Sequence, residues 1–194
     1  MTKGNIALAL CAVLFGASTV VAQELPVDFS KARQAFAEKQ YRVSAHELRI
    51  ASSAFRGEIG KCKSASVGEK MLAGERQIDQ LAADVAAGKL ESLKAFDAKL
   101  TEFDFLLAKN HQQLAIDEWN RSRGRSLYRV GSDLGLAAGF FKRALQYRSE
   151  TLAPEMQKLY DDALRVSQAL FENAEKEPSG AESAIDALGR AIRN

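Results

Sequence analysis

The stretch that decides the fold is residues 92–120, SLKAFDAKLTEFDFLLAKNHQQLAIDEWN. Its apolar residues recur at alternating steps of three and four, which places them on one face of an α-helix. The members of this seam are Leu93, Phe96, Leu100, Phe103, Leu107, His111 and Leu114. A seam of this spacing packs well in a left-handed bundle, so the stretch predicts one long helix at the centre of the fold.

The sequence on either side repeats the helical spacing. Further helices are predicted at 28–39, 42–61, 66–88 and 126–147, with another opened by Pro154 and a short last one ending at Ile192. Ser66 and Glu69 have the spacing of a capping box. Alternating patterns are absent, and each of the three prolines falls at a helix boundary. We therefore expect an all-α fold, an antiparallel bundle of about six helices.

A helical hairpin is repeated within the chain. Four residues in the second helix of one copy match four in the other copy at a constant offset: Ser44, Leu48, Ala51 and Phe55, and Val130, Leu134, Ala137 and Phe141. In the first helices, Ala32 and Phe36 match Ala115 and Trp119, and the loop of the second copy is longer. The pattern predicts two related hairpins that flank a central helix and the first part of the long one.

The first hairpin resembles a tetratricopeptide repeat. ARQAF at 32–36, KQY at 39–41 and then Ser44, Leu48 and Ala51 follow the spacing of small and aromatic positions in that motif. Neither copy has the closing proline of the motif, and Arg56 stands in its place in the first copy. The resemblance implies packing of helical hairpins and, less directly, a groove that binds a peptide.

Residues 1–22 have the layout of a cleavable secretory signal. Lys3 supplies the positive n-region, residues 6–15 form a short apolar segment, and small residues ending at Ala22 precede Gln23. A lipid anchor on Cys11 is disfavoured because Leu10 stands where lipoprotein signals carry a small residue. We expect a signal at 1–22, one helical domain at 23–178, a short C-terminal helix at 179–194, and a periplasmic or secreted protein of bacterial origin.

The near balance of acidic and basic residues argues against partners that are bound through strong charge attraction. The chain has 27 Lys and Arg against 25 Asp and Glu, a net charge of +2. A nearly neutral chain has no strong field to attract nucleic acid or an anionic membrane, so we expect no nucleic-acid partner. No apolar run after the signal is long enough to span a membrane.

Cys62 is the single cysteine left after cleavage, so it cannot form an internal disulfide. It continues the apolar face of the second predicted helix, which favours a buried thiol. An intermolecular disulfide is the alternative. A catalytic role is disfavoured, because no histidine lies near it in the sequence.

Gly131, Gly135 and Gly139 stack on one face of the fifth predicted helix. Each glycine costs about 1 kcal/mol of helix propensity relative to alanine, so a close approach of another backbone is the expected reason for them. That approach is either a tight crossing within the chain, a contact between two copies, or the wall of a cleft for a small ligand.

Arg121, Arg123, Arg125 and Arg129 form a basic cluster in the loop and first turn before that glycine row. Guanidinium groups bind phosphates and carboxylates strongly, so the cluster is a candidate site for an anion or for an acidic face of a partner. The alternative is a solvated loop with local ion pairs.

His111 is the candidate polar residue of the core, because it lies within the apolar seam of the long helix. A hydrogen-bonded core histidine is the favoured interpretation, and pairing with His46, helped by Asp117 or Glu118, is the alternative. The spacings typical of zinc and haem sites are missing around both histidines. We predict no catalytic residue, no metal ligand and no cofactor.

These observations favour a non-enzymatic exported protein that acts through protein–protein contact, as a scaffold, adaptor or chaperone-like factor. Its partner would be another protein or a second copy of the same chain. The alternative is a helical bundle that binds a small ligand or a metal. The first hypothesis predicts an exposed apolar groove or patch on the folded protein.

Overall fold

The computed structural model describes residues 24–122, 127–148, 154–172 and 180–193. These ranges contain α-helices and no strand. The helices are α1 (Ser30–Ala37), α2 (Tyr41–Ile59), α3 (Ala65–Ala86), α4 (Leu93–Ser122), α5 (Leu127–Tyr147), α6 (Pro154–Glu172) and α7 (Ala181–Arg193). The all-α class predicted from the sequence is confirmed. The predicted signal at 1–22 lies outside the described residues.

The starts of α3 and α4 show where local sequence signals work and where they fail. Ser92 caps α4, since its Oγ accepts a hydrogen bond of 3.2 Å from the backbone N–H of Ala95. The capping box predicted at Ser66 is wrong. The extended residue before α3 is Ser64 (φ −88°, ψ 123°), and Ser66 already lies inside the helix.

Residues with a left-handed backbone conformation (positive φ) follow the ends of α1 and α3. Gly88 adopts φ 66° after α3, and the following Lys89 N–H donates 2.9 Å back to the carbonyl of Asp84. Lys39 takes the same conformation after α1 (φ 62°), at a steric cost that glycine does not have. Both turns reverse the chain sharply, so that successive helices pack against each other.

Helices α4 and α5 form the centre of the bundle and share its most extensive helix contact. The seam predicted on α4 faces the core, with Phe96, Leu100, Phe103 and Leu107 fully buried. The 30 residues of α4 span about 45 Å at about 1.5 Å per residue. Its neighbour α5 also packs against α6, and most of its residues are buried.

The first three helices pack on one flank of α4. Successive helices from α1 to α3 are in contact, and both α1 and α3 reach α4. Phe36 of α1 stacks on Phe96 of α4, with ring centroids 4.5 Å apart. At the other end of the chain, α7 packs on α4 and α6, where Gly189 leaves room for the buried side chain of Gln112.

The segment before α1 is part of the core. Val27 and Phe29 are fully buried, and Phe29 lies 5.9 Å from Phe103 between ring centroids. Leu25 packs over Gly139, where a methyl group on the glycine would meet Cδ2 of the leucine at 2.9 Å. This segment therefore ties the start of the described chain to α4 and α5.

The repeated hairpins bury corresponding residues. The matched positions of α2 and α5 are all buried, as are Ala32, Phe36 and Ala115, while Trp119 is partly buried against the core. The resemblance to tetratricopeptide repeats stays a prediction. Across the described ranges, none of the helices combines the length and hydropathy that a membrane crossing requires.

Candidate functional site

Two helices, α2 and α5, each place a carboxylate beside His111 of α4, and we call Glu58, His111 and Asp133 the His111 cluster. His111 of α4 is 1% exposed, and its Nδ1 lies 2.8 Å from Oδ1 of Asp133 on α5. Its Nε2 lies 3.2 Å from Oε2 of Glu58 on α2. That second pair is within ion-pair distance, although the two atoms lack the alignment of a hydrogen bond. The ring also stacks on Phe140, at 5.7 Å between centroids.

The groups of the His111 cluster shift each other's pKa values toward the charged forms. Burial lowers the pKa of His111, but the hydrogen bond with Asp133 and the charges of Asp133 and Glu58 outweigh burial and raise it above the ordinary value of 6.5. Burial raises the pKa of Glu58, but His111 and Lys61 outweigh burial and lower it below 4.5. The geometry thus favours an imidazolium between two carboxylates, joining α2, α4 and α5.

The alternative partner predicted for His111 is wrong. His46 lies on the exposed face of α2, and Asp117 accepts its hydrogen bond from Gln113 instead, at 2.9 Å. The two true partners were missed, although each interrupts an apolar stripe. Glu58 follows Phe55 by three residues on α2, and Asp133 follows Val130 by three on α5.

The cluster does not have the arrangement of a metal site. The two carboxylates approach opposite nitrogens of the ring, so their oxygens do not converge on one point. Among the residues that the structure describes, no group of three or more His, Cys, Asp or Glu side chains has a metal-binding arrangement. The described geometry therefore gives no support to the metal-binding alternative.

Cys62 is half-buried beside this cluster. Its thiol donates to Oδ1 of Asn110 at 3.1 Å. Burial raises the pKa of Cys62 above 9.0, and the charge of Glu58 raises it further. Since the thiolate is the reactive form, this environment disfavours nucleophilic chemistry at Cys62.

Two glycines of the row, Gly131 and Gly139, face other parts of the same chain. A Cβ on Gly131 would lie 2.7 Å from the carbonyl oxygen of Ser167 on α6, and Ser167 Oγ donates to the carbonyl of Gly131 at 2.7 Å. Gly135 is buried in the same helix, and Gly139 faces Leu25. The close approach seen at Gly131 is therefore an intramolecular crossing of α5 and α6.

One described arginine of the basic cluster, Arg121, is paired with a buried carboxylate. Arg121 donates to Oε2 of Glu118, and Lys63 Nζ lies 3.8 Å from the same oxygen. Burial raises the pKa of Glu118, but the hydrogen bond from Arg121 and the charges of Arg121, Lys63 and Arg129 outweigh it and lower the pKa. Arg121 and Lys63 thus share one acidic group, and the charge of Arg129 acts on it without a direct ion pair. Arg123 and Arg125 lie outside the described residues.

Two exposed aromatic rings lie near the start of α5 and the end of α6, close in the fold to the arginines that end α4 and begin α5. Tyr128 of α5 and Phe171 of α6 are 52% and 47% exposed, and their ring centroids are 4.4 Å apart. Tyr128 adjoins Arg129 in the first turn of α5. We call Lys63, Arg121, Tyr128, Arg129 and Phe171 the basic–aromatic surface. The sequence interpretation found its arginines but missed both rings, which periodicity alone does not distinguish from core residues.

An open groove runs between α6 and α7, with a volume of about 290 Å³. Leu159 and Ala187 line it together with Asp162, Arg165 and Ser183. Its charges are solvated, with Asp162 and Arg165 half exposed and 3.9 Å apart. The groove has neither the enclosure nor the convergent buried polar groups typical of a small-molecule site.

Comparisons with known proteins found no relative of this chain. No protein-family model matches it, and neither a curated protein nor a solved structure does so.

Proposed function

We propose that this chain is an exported, non-enzymatic helical protein that works by binding another protein in the bacterial envelope, as a scaffold, adaptor or chaperone-like factor. The observation that carries the proposal is the exposed ring pair of Tyr128 and Phe171. The exposed arginines Arg121 and Arg129, which end α4 and begin α5, supply the polar rim that binding surfaces usually have.

Aromatic side chains are effective anchors in protein interfaces. They supply a large contact area and lose little conformational freedom on binding, and a few such residues carry most of the binding energy. Six large apolar side chains are exposed in the described ranges, on α2, α3, α5 and α6. Tyr128 and Phe171 are the two whose rings contact each other in the open, which favours this end of the bundle as the docking point.

The non-enzymatic part of the proposal rests on the burial of the titratable groups. Enzymes place their acid, base or nucleophile in an accessible pocket. Glu58 and His111 are only 3% and 1% exposed, and the thiol of Cys62 is held as a hydrogen-bond donor. These groups join helices and are enclosed by them, which supports a non-enzymatic role.

Export rests on the layout of residues 1–22. Fractionation of cells that express the full-length chain, followed by N-terminal sequencing, tests it. A protein in the periplasm or medium that begins at Gln23 is the expected result. Retention in the cytoplasm with an intact N-terminus would contradict export.

The binding function predicts that capture of a partner depends on the ring pair. Tagged protein is incubated with an envelope extract, and the same experiment is run with the double variant Tyr128→Ser/Phe171→Ser. We expect one protein to be retained by the wild type and to be at least tenfold reduced with the variant, because a central aromatic anchor carries about 2 kcal/mol or more.

The matched control is Ile50→Ser/Leu72→Ser. Ile50 and Leu72 are 52% and 43% exposed on α2 and α3, so this variant removes a similar exposed apolar area at other places. Circular dichroism confirms that both double variants stay folded. Equal loss of capture in both variants, or no specific capture by the wild type, would count against the proposed function.

A further inference from the structure

The charge of this nearly neutral protein is unevenly distributed. The whole chain has a net charge of +2, yet the sequence between Glu118 and Asp133 contains four arginines and no acidic residue. Two of these arginines, Arg121 and Arg129, are described, and both are exposed. Positive charge is therefore concentrated where α4 ends and α5 begins.

The cations are exposed despite their shared partner. The side chain of Arg121 is 60% exposed and that of Lys63 is 48% exposed, whereas Glu118 is only 5% exposed. One buried carboxylate offsets one of three positive charges and leaves donors directed to solvent. A guanidinium has five donors in a planar fork, so Arg121 has capacity for a second carboxylate.

The ring pair limits what kind of anion this surface fits. A free phosphate or a single carboxylate would use the cations but would leave Tyr128 and Phe171 uncovered. A peptide segment with acidic residues beside an aromatic or aliphatic side chain would use both parts, because Tyr128 and Arg129 are both exposed in the first turn of α5.

Building on the proposed protein-binding function, we infer that the basic–aromatic surface takes an acidic segment of its partner, with an apolar anchor placed against Tyr128 and Phe171. Carboxylates of that segment pair with Lys63, Arg121 and Arg129. Complementary charge raises the rate of encounter and fixes the register of the segment, while the anchor provides affinity.

The test uses the purified full-length protein and a fluorescent synthetic peptide in which glutamates flank a central tryptophan. Two matched peptides replace the glutamates with lysines or the tryptophan with serine. Fluorescence anisotropy measures binding of each peptide. We expect the acidic tryptophan peptide to bind at least tenfold more tightly than either matched peptide.

Two protein variants separate the contributions of charge and ring contact. Arg121→Glu/Arg129→Glu should weaken binding of the acidic peptide at least tenfold. The control is Lys31→Glu/Lys70→Glu, which makes an equal charge change at exposed lysines of α1 and α3. It should weaken binding less than threefold. Binding should also fall with salt, since the Debye length shrinks from about 10 Å at about 0.1 M to about 3 Å at about 1 M.

Several results would overturn the inference. These are equal binding of the acidic and lysine peptides, equal effects of the two charge-reversal variants, or binding to phosphatidylglycerol vesicles with none to the acidic peptide. Dimerisation that buries the surface, seen by light scattering and abolished by Tyr128→Ser/Phe171→Ser, would assign the surface to a second copy instead.

One result would contradict this inference and leave the proposed function standing. It is capture of a partner that needs the ring pair but is insensitive to Arg121→Glu/Arg129→Glu.

Discussion

Arg143 is the side chain on which α4, α5 and the segment before α1 meet. Its guanidinium donates two hydrogen bonds of 2.7 Å to Asp104 and one of 2.7 Å to the carbonyl of Val27. It also lies over the rings of Phe29 and Phe140, at 5.6 and 5.3 Å from their centroids. All these partners are buried, so the pair of Arg143 and Asp104 is an internal ion pair.

Replacing Arg143 should be costly because Asp104 would lose its counter-charge. Asp104 is 0% exposed, and burial raises its pKa to about 6 against the opposing effect of Arg143. Arg143→Met should lower the free energy of unfolding by about 3–5 kcal/mol at neutral pH. The loss should be smaller at acidic pH, where Asp104 takes up a proton. Urea denaturation at both pH values measures the difference.

Two further variants check that reasoning. Arg143→Met/Asp104→Leu removes both charges and should recover part of the stability lost in the single variant. Arg33→Met breaks the pair with Asp97, where the arginine side chain is 36% exposed, and should cost only about 1 kcal/mol. An equal cost for the two arginine variants would show that burial of the pair is not the cause.

At the scale of elements, the crossing of α5 and α6 depends on a missing side chain. A methyl group at Gly131 would press on the backbone of Ser167 and Phe171, at 2.7 and 3.1 Å. Gly131→Ala should therefore lower the free energy of unfolding by about 1–3 kcal/mol, because overpacking outweighs the gain in helix propensity.

Gly57→Ala is the matched control for this prediction. Gly57 lies in α2, is exposed, and has no neighbouring atom within 4 Å of the place of a Cβ. The same substitution should there raise the free energy of unfolding by up to about 1 kcal/mol, through helix propensity alone. Thermal unfolding of both variants gives shifts of opposite sign if the crossing is as tight as the structure has it.

The positions of the helices could be predicted from the sequence, but which helix packs against which could not. The seam of α4 could be predicted because a regular spacing of Phe96, Leu100 and Phe103 specifies the buried face of a helix. The same spacing does not say which helix covers that face. The crossing at Gly131 was therefore predicted as a close approach, whereas its partner Ser167 on α6 could be identified only from the fold.

The same limit explains what could be predicted of the candidate site. His111 interrupts an apolar seam, which indicated a polar residue of the core. Glu58 lies far from it in the chain, and a contact over that distance depends on how α2 and α4 pack. Tyr128 and Phe171 are apolar residues at helical spacing, and only the fold shows that they lie on outward faces of α5 and α6 while their neighbours Leu127 and Leu170 are buried.

For the whole molecule, stability rests on packing and on internal charge pairs. The described chain has one connected hydrophobic core that includes residues of every helix. Its one described cysteine is free. The His111 cluster and the pair of Arg143 and Asp104 join this core at separate levels of α4, so the protonation state of a few buried groups affects the stability of the entire bundle.

The sign of that effect follows from the direction of each pKa change. Because folding raises the pKa of His111 above 6.5, the stability it contributes is complete below pH 6.5 and is lost as the pH rises through the folded value. Folding raises the pKa of Asp104 from 3.8 to about 6, so its effect has the same direction but ends near pH 6. Folding lowers the pKa of Glu58, whose contribution is lost only as the pH falls below 4.5.

We therefore expect the free energy of unfolding to decrease as the pH rises above 6.5, with a slope of at most about 1.4 kcal/mol per pH unit, the value for one proton. Urea denaturation across this range measures the slope. His111→Gln should flatten it, because the remaining shifted carboxyl groups titrate at lower pH. His46→Gln, which removes the exposed histidine of α2, should leave it unchanged. A wild type that gains stability over the range, or a slope that survives His111→Gln, would show that the imidazolium is not what holds α2, α4 and α5 together.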